Sequence, residues 1–189
     1  MGVVLTMTLV MITGLAITRE RERGTMENLL SMPTQPLEVL CGKLIPYILV
    51  GYVQVTLILV AAHFLFHVPM VGNVGLLLAS ALVFIVANLA MGITFSTLAK
   101  NQLQAVQMSF FFFLPSLLLS GFMFPYRGMP KWAQAVGEVF PLTHFLRIVR
   151  GILLKGNGIG EVRHELWPIA LFASVAIVLG VGRYQKTLD

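Results

Sequence analysis

Charged side chains are scarce in this sequence. Asp, Glu, Lys and Arg together make up 11% of its 189 residues, whereas soluble proteins average about 25%. Hydrophobic residues make up 57%, and the mean hydropathy is +0.86. So few charges exclude a domain whose whole surface faces water. The composition therefore predicts an integral membrane protein.

Cysteine is almost absent as well, since Cys41 is the one cysteine of the chain. A single thiol excludes an internal disulfide and a metal site built from several cysteines. His63 and His67 lie four residues apart, a spacing that can hold a metal on a helix. No acidic residue or cysteine accompanies them, and Pro69 indicates that the helix ends there. We therefore expect no metal site.

Enzyme motifs are also missing. Gly42 and Lys43 are similar to part of a phosphate loop, but a Walker A motif needs a glycine where Leu37 stands and Ser or Thr where Leu44 stands. The sequence contains neither an HExxH motif nor a GxSxG motif. The chain is therefore not expected to be an enzyme, and any ATP hydrolysis that drives it must take place on another chain.

The net charge of +5 points to membrane topology and not to nucleic acid, because the basic residues flank apolar runs. The run RERER follows the first apolar stretch directly, and no basic residue precedes it. Lys and Arg next to short connectors mark the cytoplasmic side. We therefore place Met1 outside and Arg19 in the cytoplasm, with the lipid bilayer as the surroundings and no nucleic-acid partner.

Long apolar stretches recur along the chain. A helix needs roughly 20 apolar residues to cross the hydrocarbon core, and five stretches approach or exceed this length. We expect an all-α, polytopic membrane helix bundle that forms one domain over residues 1–189. The five predicted spans cover residues 1–18, 44–66, 74–99, 106–124 and 166–182.

Polar groups are rare inside the predicted spans. Asn88 is the most central of them, so it is our candidate for a group that faces the transport pathway. A hydrogen-bonded structural amide is the commoner use of such a residue. Gly92 and Ser96 are four residues apart, which predicts a close approach of another helix. Acidic residues are absent from the predicted spans, which argues against a proton-driven carrier.

The connector between the first two spans, ITRERERGTMENLLSMPTQPLEVLCGKLIP, is dense in charge and proline. Thr25 suits the N-cap of a short helix, with Glu27 in its first turn. The apolar residues of this helix then share one face; they are Met26, Leu29 and Leu30.

Two prolines divide this connector. Pro33 ends the first short helix, because the residue before a proline avoids helical geometry. Pro36 suits the first position of a second helix, with Glu38 near its start. A charged anchor followed by an interfacial helix explains the pattern, but so does a rigid helix–turn–helix that transmits the motion of a soluble partner.

The ordered pattern ExERGTxExLLxxPxxPLExxxGKxxP resembles the cytoplasmic segment of ABC-2 type transporter permeases, especially bacterial inner-membrane export permeases that include drug-efflux proteins. In that family this segment is the coupling helix that docks on the ATP-binding subunit. The resemblance therefore implies a coupling role for Glu20, Glu22, Arg23, Gly24, Thr25, Met26, Glu27, Leu29, Leu30, Pro33, Pro36, Glu38, Gly42 and Lys43.

The resemblance further implies a permease subunit of an exporter, with a separate ABC ATP-binding subunit that carries ATP and Mg, and a second permease half. No cofactor is expected on this chain. Family members have six spans and a large extracytoplasmic domain after the first, so we expect the chain to begin at the family's second span. The alternative is a membrane anchoring or assembly protein whose connector recruits a cytoplasmic partner.

The connector after the fourth span also carries helix signals. Pro130 suits the start of one short helix, and Thr143 is predicted to cap a second. In the second helix, Arg147 and Arg150 face outward, opposite an apolar face of Phe145, Ile148, Val149 and Ile152. The family resemblance implies two re-entrant helices here and an outer gate formed by Phe122, Phe124, Trp132 and Phe140.

Overall fold

Helices account for nearly all the regular structure in the computed structural model, which describes residues 1–22 and 36–186. Within these residues it contains seven α-helices and one short 3-10 turn, and no strand. This confirms the prediction of an all-α chain. The helices are α1 (Gly2–Glu22), α2 (Pro36–Phe64), α3 (Val74–Leu98), α4 (Gln102–Leu119), α5 (Lys131–Gly137), α6 (Pro141–Lys155) and α7 (Ile159–Lys186), and the 3-10 turn covers Tyr126–Gly128.

Four helices contain segments that are long and apolar enough to cross a membrane. They are Leu44–Phe64 of α2, Val74–Leu98 of α3, Gln102–Leu119 of α4 and Ile159–Gly180 of α7. The apolar part of α1, Gly2–Ala16, is shorter than these. Four of the predicted spans are therefore confirmed as candidate membrane helices, and α1 does not reach the usual length on its own.

The boundaries of two spans differ from the prediction. Helix α4 ends at Leu119, where Gly121 turns the chain with a φ of 79°. Helix α7 begins at Ile159, seven residues before the predicted start, because its first turns are amphipathic and not apolar. In those turns Val162 is buried while Arg163 is exposed. The earlier start brings Glu161 and Glu165 into the candidate span, whereas the predicted part, residues 166–182, contains no acidic residue.

Helix α3 lies at the centre of the bundle and contacts α1, α2, α4, α6 and α7. Of its most apolar 18-residue window, 61% is buried, compared with 17 to 22% for the other three candidate spans. The ring of Phe84 stacks on Phe145 of α6, with 4.1 Å between ring centroids. The remaining helices are therefore arranged around α3.

Helices α1 and α3 approach each other closely at small residues. A Cβ atom added to Gly92 would lie only 1.8 Å from Thr13 Oγ1 and 2.9 Å from the Val10 carbonyl oxygen. Further along, the backbone N–H of Thr18 donates to Ser96 Oγ at 3.1 Å. These contacts confirm the close approach that the spacing of Gly92 and Ser96 predicts, and they place α1 inside the bundle.

The outer faces of the bundle are apolar. On α2, Leu49, Val53 and Leu57 are each more than half exposed, and on α4 the side chain of Phe111 is 79% exposed. An apolar surface of this kind suits lipid or another membrane helix and not water.

Candidate functional site

The predicted coupling segment lies only partly within the described residues. Of its members, Arg23, Gly24, Thr25, Met26, Glu27, Leu29, Leu30 and Pro33 fall outside them. Pro36 is the first residue of α2, which confirms its predicted position. Gly42 lies in α2 and is exposed, with no atom within 4 Å of a Cβ added to it. Glu20, Glu38 and Lys43 are helical, and the structure describes their backbone alone.

Glu22, at the end of α1, contacts the start of α4. Its carboxylate accepts a hydrogen bond from the backbone N–H of Gln102 at 2.7 Å and a second from the side-chain amide of Gln102. These hydrogen bonds to Gln102 hold the pKa of Glu22 below its ordinary value. Glu22 thus joins two helices of this chain, while its predicted contact with an ATPase subunit stays a prediction.

The turn between α3 and α4 is held by its own side chains. Asn101 caps α4, with its Oδ1 accepting from the backbone N–H of Gln104 at 2.8 Å. In return, Gln104 Oε1 accepts from the backbone N–H of Lys100 at 2.8 Å. Together with Glu22, these bonds tie the end of α1 to a short, ordered turn.

Asn88 lies in the packed interior of the bundle. Its residue surface is fully buried, and its Nδ2 donates to the Phe84 carbonyl at 2.8 Å. Its Oδ1 has no hydrogen-bond partner among the residues that the structure describes. The structure shows a half-satisfied interior amide, and the pathway-facing role stays a prediction.

Three of the four predicted gate residues are largely exposed in this chain. Phe122, Phe124 and Trp132 are 52%, 55% and 69% exposed. The ring of Phe140 contacts Phe112 of α4, with 5.7 Å between centroids. The outer gate stays a prediction.

Helix α6 has the predicted apolar face, since Phe145, Ile148 and Ile152 are buried. Its predicted cap was wrong. Pro141 is at the first helical position, with Phe140 as the N-cap residue and no side-chain cap. Because a proline already suits this position, Thr143 is free to donate its hydroxyl to the Gly137 carbonyl at 2.7 Å, which links α6 to α5.

A polar cluster that the sequence analysis missed joins α5, α6 and α7. His144 contacts Glu165 Oε2 through Nδ1 at 2.5 Å and the carbonyl oxygen of Glu138 through Nε2 at 2.9 Å. Arg147 donates to both carboxylate oxygens of Glu138, at 2.6 and 3.1 Å. Tyr126 donates its hydroxyl to Glu138 at 2.6 Å, and the Arg147 guanidinium lies 4.8 Å from its ring centroid.

The electrostatics of this cluster favour its charged forms. Burial lowers the pKa of His144, but its bonds to Glu165 and Glu138 outweigh burial and leave that pKa above its ordinary value. Burial raises the pKa of Glu138, but its bonds to Arg147 and Tyr126 leave it lowered. Glu165 lies 21 residues after His144 in the sequence, so no short spacing along the chain signals this cluster.

The described surface includes two clefts of interest. One, of about 510 Å³, lies between α6 and the start of α7 and borders the polar cluster at Arg147 and Glu165. The other, of about 260 Å³, is apolar and is lined by residues of α2 and α3 that include His63. No group of three or more potential metal ligands occurs in the described part of the chain, and His67 lies beyond the end of α2.

Comparison with known proteins gives one consistent family. The description "ABC-2 type transporter" matches residues 1–154, a range that includes the charged connector. The chain is 30% identical over 173 residues to "Probable multidrug ABC transporter permease YbhR" of Escherichia coli K12, covering 92% of this chain and 47% of that protein. "Probable multidrug ABC transporter permease YbhS" of the same strain is 36% identical over 156 residues, covering 82% and 41%.

A third relative, "Inner membrane transport permease YhhJ" of Escherichia coli K12, is 30% identical over 186 residues, covering 97% of this chain and 50% of that protein. The chain thus spans about half the length of the curated bacterial relatives it matches. No solved structure matches it. Because the family match covers residues 1–154 of 189, the chain belongs to the ABC-2 type transporter family.

Proposed function

We propose that this chain is the membrane-spanning permease part of an ABC-2 type exporter in the bacterial inner membrane. The family match over residues 1–154 carries this proposal, and the names of three relatives as multidrug or inner-membrane transport permeases support it. The transported cargo is then a small-molecule drug or a compound of similar size that leaves the cell.

The energy source is a separate ABC ATP-binding subunit, which binds ATP and Mg. This chain supplies the surface that the ATPase subunit pushes. When ATP closes the ATPase dimer, the segment from Glu22 to Gly42 is displaced. The hydrogen bonds between Glu22 and Gln102 and between Thr18 and Ser96 pass that displacement to α4 and α3. The bundle then tilts as a rigid body between inward-open and outward-open states.

The proposed topology has five membrane-spanning helices, namely the four candidate spans and α1. A helix of 21 residues is roughly 30 Å long, which matches the hydrocarbon core. Because α1 packs against α3 and α4, part of its surface is covered by protein and not by lipid, so a shorter apolar stretch is sufficient. In this topology α5 and α6 are the outer re-entrant pair, and a second permease half covers the exposed side chains of the predicted gate.

Export by reconstituted vesicles tests this proposal. Vesicles that contain the full chain, its second permease half and its ATPase subunit are expected to move a fluorescent drug only when ATP is hydrolysed. Leu30→Asp is expected to abolish ATPase stimulation, because it places a charge on the apolar face predicted to dock. An ATPase that binds normally without any ATP-dependent transport would favour the alternative of an anchoring or assembly protein.

A further inference from the structure

The histidine of the outer cluster, His144, faces two hydrogen-bond acceptors. A backbone carbonyl oxygen can only accept, so Nε2 must donate to Glu138 O. At the other ring nitrogen, Nδ1 lies 2.5 Å from Glu165 Oε2. A neutral imidazole with its proton on Nε2 would bring a lone pair against a carboxylate there. The contact therefore requires one further proton between Nδ1 and Glu165.

We propose that His144 and Glu165 form a proton-binding site that fastens α6 to α7 at the outer end of the bundle. One proton, held between Nδ1 and Oε2, belongs to the pair and not to either residue alone. With the proton bound, the two groups attract each other. Without it, a lone pair and a carboxylate oxygen repel at contact distance, and the outer ends of the two helices lose their polar link.

The charges around the pair also favour the bound proton. Two carboxylates, those of Glu138 and Glu165, face Arg147 and His144. With a protonated imidazole the cluster is neutral, whereas loss of the proton leaves one uncompensated negative charge. His144 is only 5% exposed, so water screens that charge poorly.

The other elements that pack on α6 bring few competing charges. Helices α1 and α3 meet it through apolar side chains of the hydrophobic core. From the 3-10 turn, the Tyr126 hydroxyl bonds to Glu138. On α6 and α7 themselves, Arg150, Lys155 and Glu161 line the cleft that also borders Arg147 and Glu165. The groups that bond directly to one another in the site are the two carboxylates, Arg147, His144 and Tyr126.

Protons can reach the pair from the outer solvent. The side chains of Glu165 and Glu138 are 26% and 42% accessible. The cleft of about 510 Å³ between α6 and α7 is lined by Glu165 and Arg147. Proton binding here depends on neither an ATPase nor a transported substrate, so it is testable apart from the proposed export function.

An NMR titration of the full chain in lipid nanodiscs tests the site directly. The four histidines carry isotope-labelled rings, and His144→Gln identifies the signal of His144. We expect this signal to keep two ring protons above about pH 6.5, where an ordinary histidine is half protonated. Glu165→Gln should weaken its proton binding at least about tenfold, equal to one pKa unit.

Three further variants make the test specific. Glu161→Gln should leave the His144 signal unchanged, because Glu161 accepts from the Gly158 N–H and not from a histidine. Arg147→Gln should tighten proton binding, because it removes a cation that competes with the proton. His164→Gln should also leave the signal unchanged, since His164 is exposed. Loss of the second ring proton at or below about pH 6.5 in the unmodified chain would overturn the proposal.

Discussion

The carboxylate of Glu22, the last residue of α1, holds the first residue of α4, Gln102, by hydrogen bonds to both its backbone and its side chain. The residues that follow Glu22 are those predicted to dock on an ATPase subunit. Glu22 thus joins the end of α1, which precedes the predicted docking segment in the sequence, to the start of α4.

Replacing Glu22 should uncouple the two subunits without unfolding the chain. Glu22→Ala removes both bonds to Gln102 at an exposed position, so its effect on thermal stability should be small. ATPase stimulation by the full transporter should fall several-fold, because displacement of the connector no longer reaches α4. Glu161→Ala is the matched control, since Glu161 also accepts a backbone N–H but lies at the outer end. Equal stimulation in both variants would contradict this role of Glu22.

The close contact between Gly92 and Thr13 predicts that adding one methyl group at position 92 lowers the stability of the fold. Gly92→Ala would place its Cβ 1.8 Å from Thr13 Oγ1, and overpacking of this kind costs about 1–3 kcal/mol. Gly160→Ala is the control within another helix, because no atom lies within 4 Å of its added Cβ. Thermal unfolding in detergent should show a lowered midpoint for Gly92→Ala and an unchanged or higher one for Gly160→Ala.

The two hydrogen bonds from Arg147 to Glu138 predict that replacing Arg147 by lysine lowers the stability of the fold. Arg147→Lys keeps the charge but loses the planar, two-pronged contact and the stacking on Tyr126. The side chains of Arg147 and Glu138 are both about 40% exposed, so we expect the free energy of unfolding to fall by about 1 kcal/mol or less. Arg150→Lys should change stability far less, since the hydrogen bond that Arg150 makes among the described residues is a long one, to the Gly121 carbonyl at 3.5 Å. Similar losses in the two variants would show that the pairing contributes nothing.

The lowered pKa of Glu138 predicts a loss of stability in acid. Its contribution is present above the pKa of an unfolded glutamate, about 4.3. It disappears as the pH falls through the lower pKa of the folded state. The unfolding midpoint of the unmodified chain should therefore drop more steeply below about pH 4.3 than that of Glu138→Gln. Parallel pH curves would contradict the prediction.

The raised pKa of His144 predicts a loss of stability in alkali, opposite to the acid effect of Glu138. Its contribution is fully present below about pH 6.5 and is lost as the pH rises through the higher pKa of the folded state. The unfolding midpoint should fall on the alkaline side in the unmodified chain and in His164→Gln, but less in His144→Gln. An equal fall in all three proteins would rule out a contribution from His144.

The sequence predicts best those elements whose signal is local. Helix α3 was predicted at residues 74–99 and observed at Val74–Leu98, because a long apolar run is bounded by Asn73, whose side chain accepts from the Gly75 N–H. The inward face of α6 was predicted from its helical spacing, since periodicity fixes which residues share a face.

Features that depend on distant residues could not be predicted in this way. The start of α7 was missed because hydropathy detects only its apolar part, while its first turns are stabilised by contacts such as that of His144 with Glu165. The polar cluster combines residues from α6, α7 and the end of α5. No spacing along the chain indicates that Glu138 and Glu165 meet at one histidine.

Site-directed crosslinking is the most direct test of the proposed function. With Cys41 replaced by serine, Thr25→Cys and Leu30→Cys place single thiols on the predicted coupling helix, and Lys155→Cys places one at the end of α6, at the opposite side. We predict that the first two thiols crosslink to the co-expressed ATP-binding subunit in a manner that ATP changes, and that the third does not. Absence of any crosslink from the connector, or its labelling by a membrane-impermeant reagent from outside the cell, would contradict the coupling role.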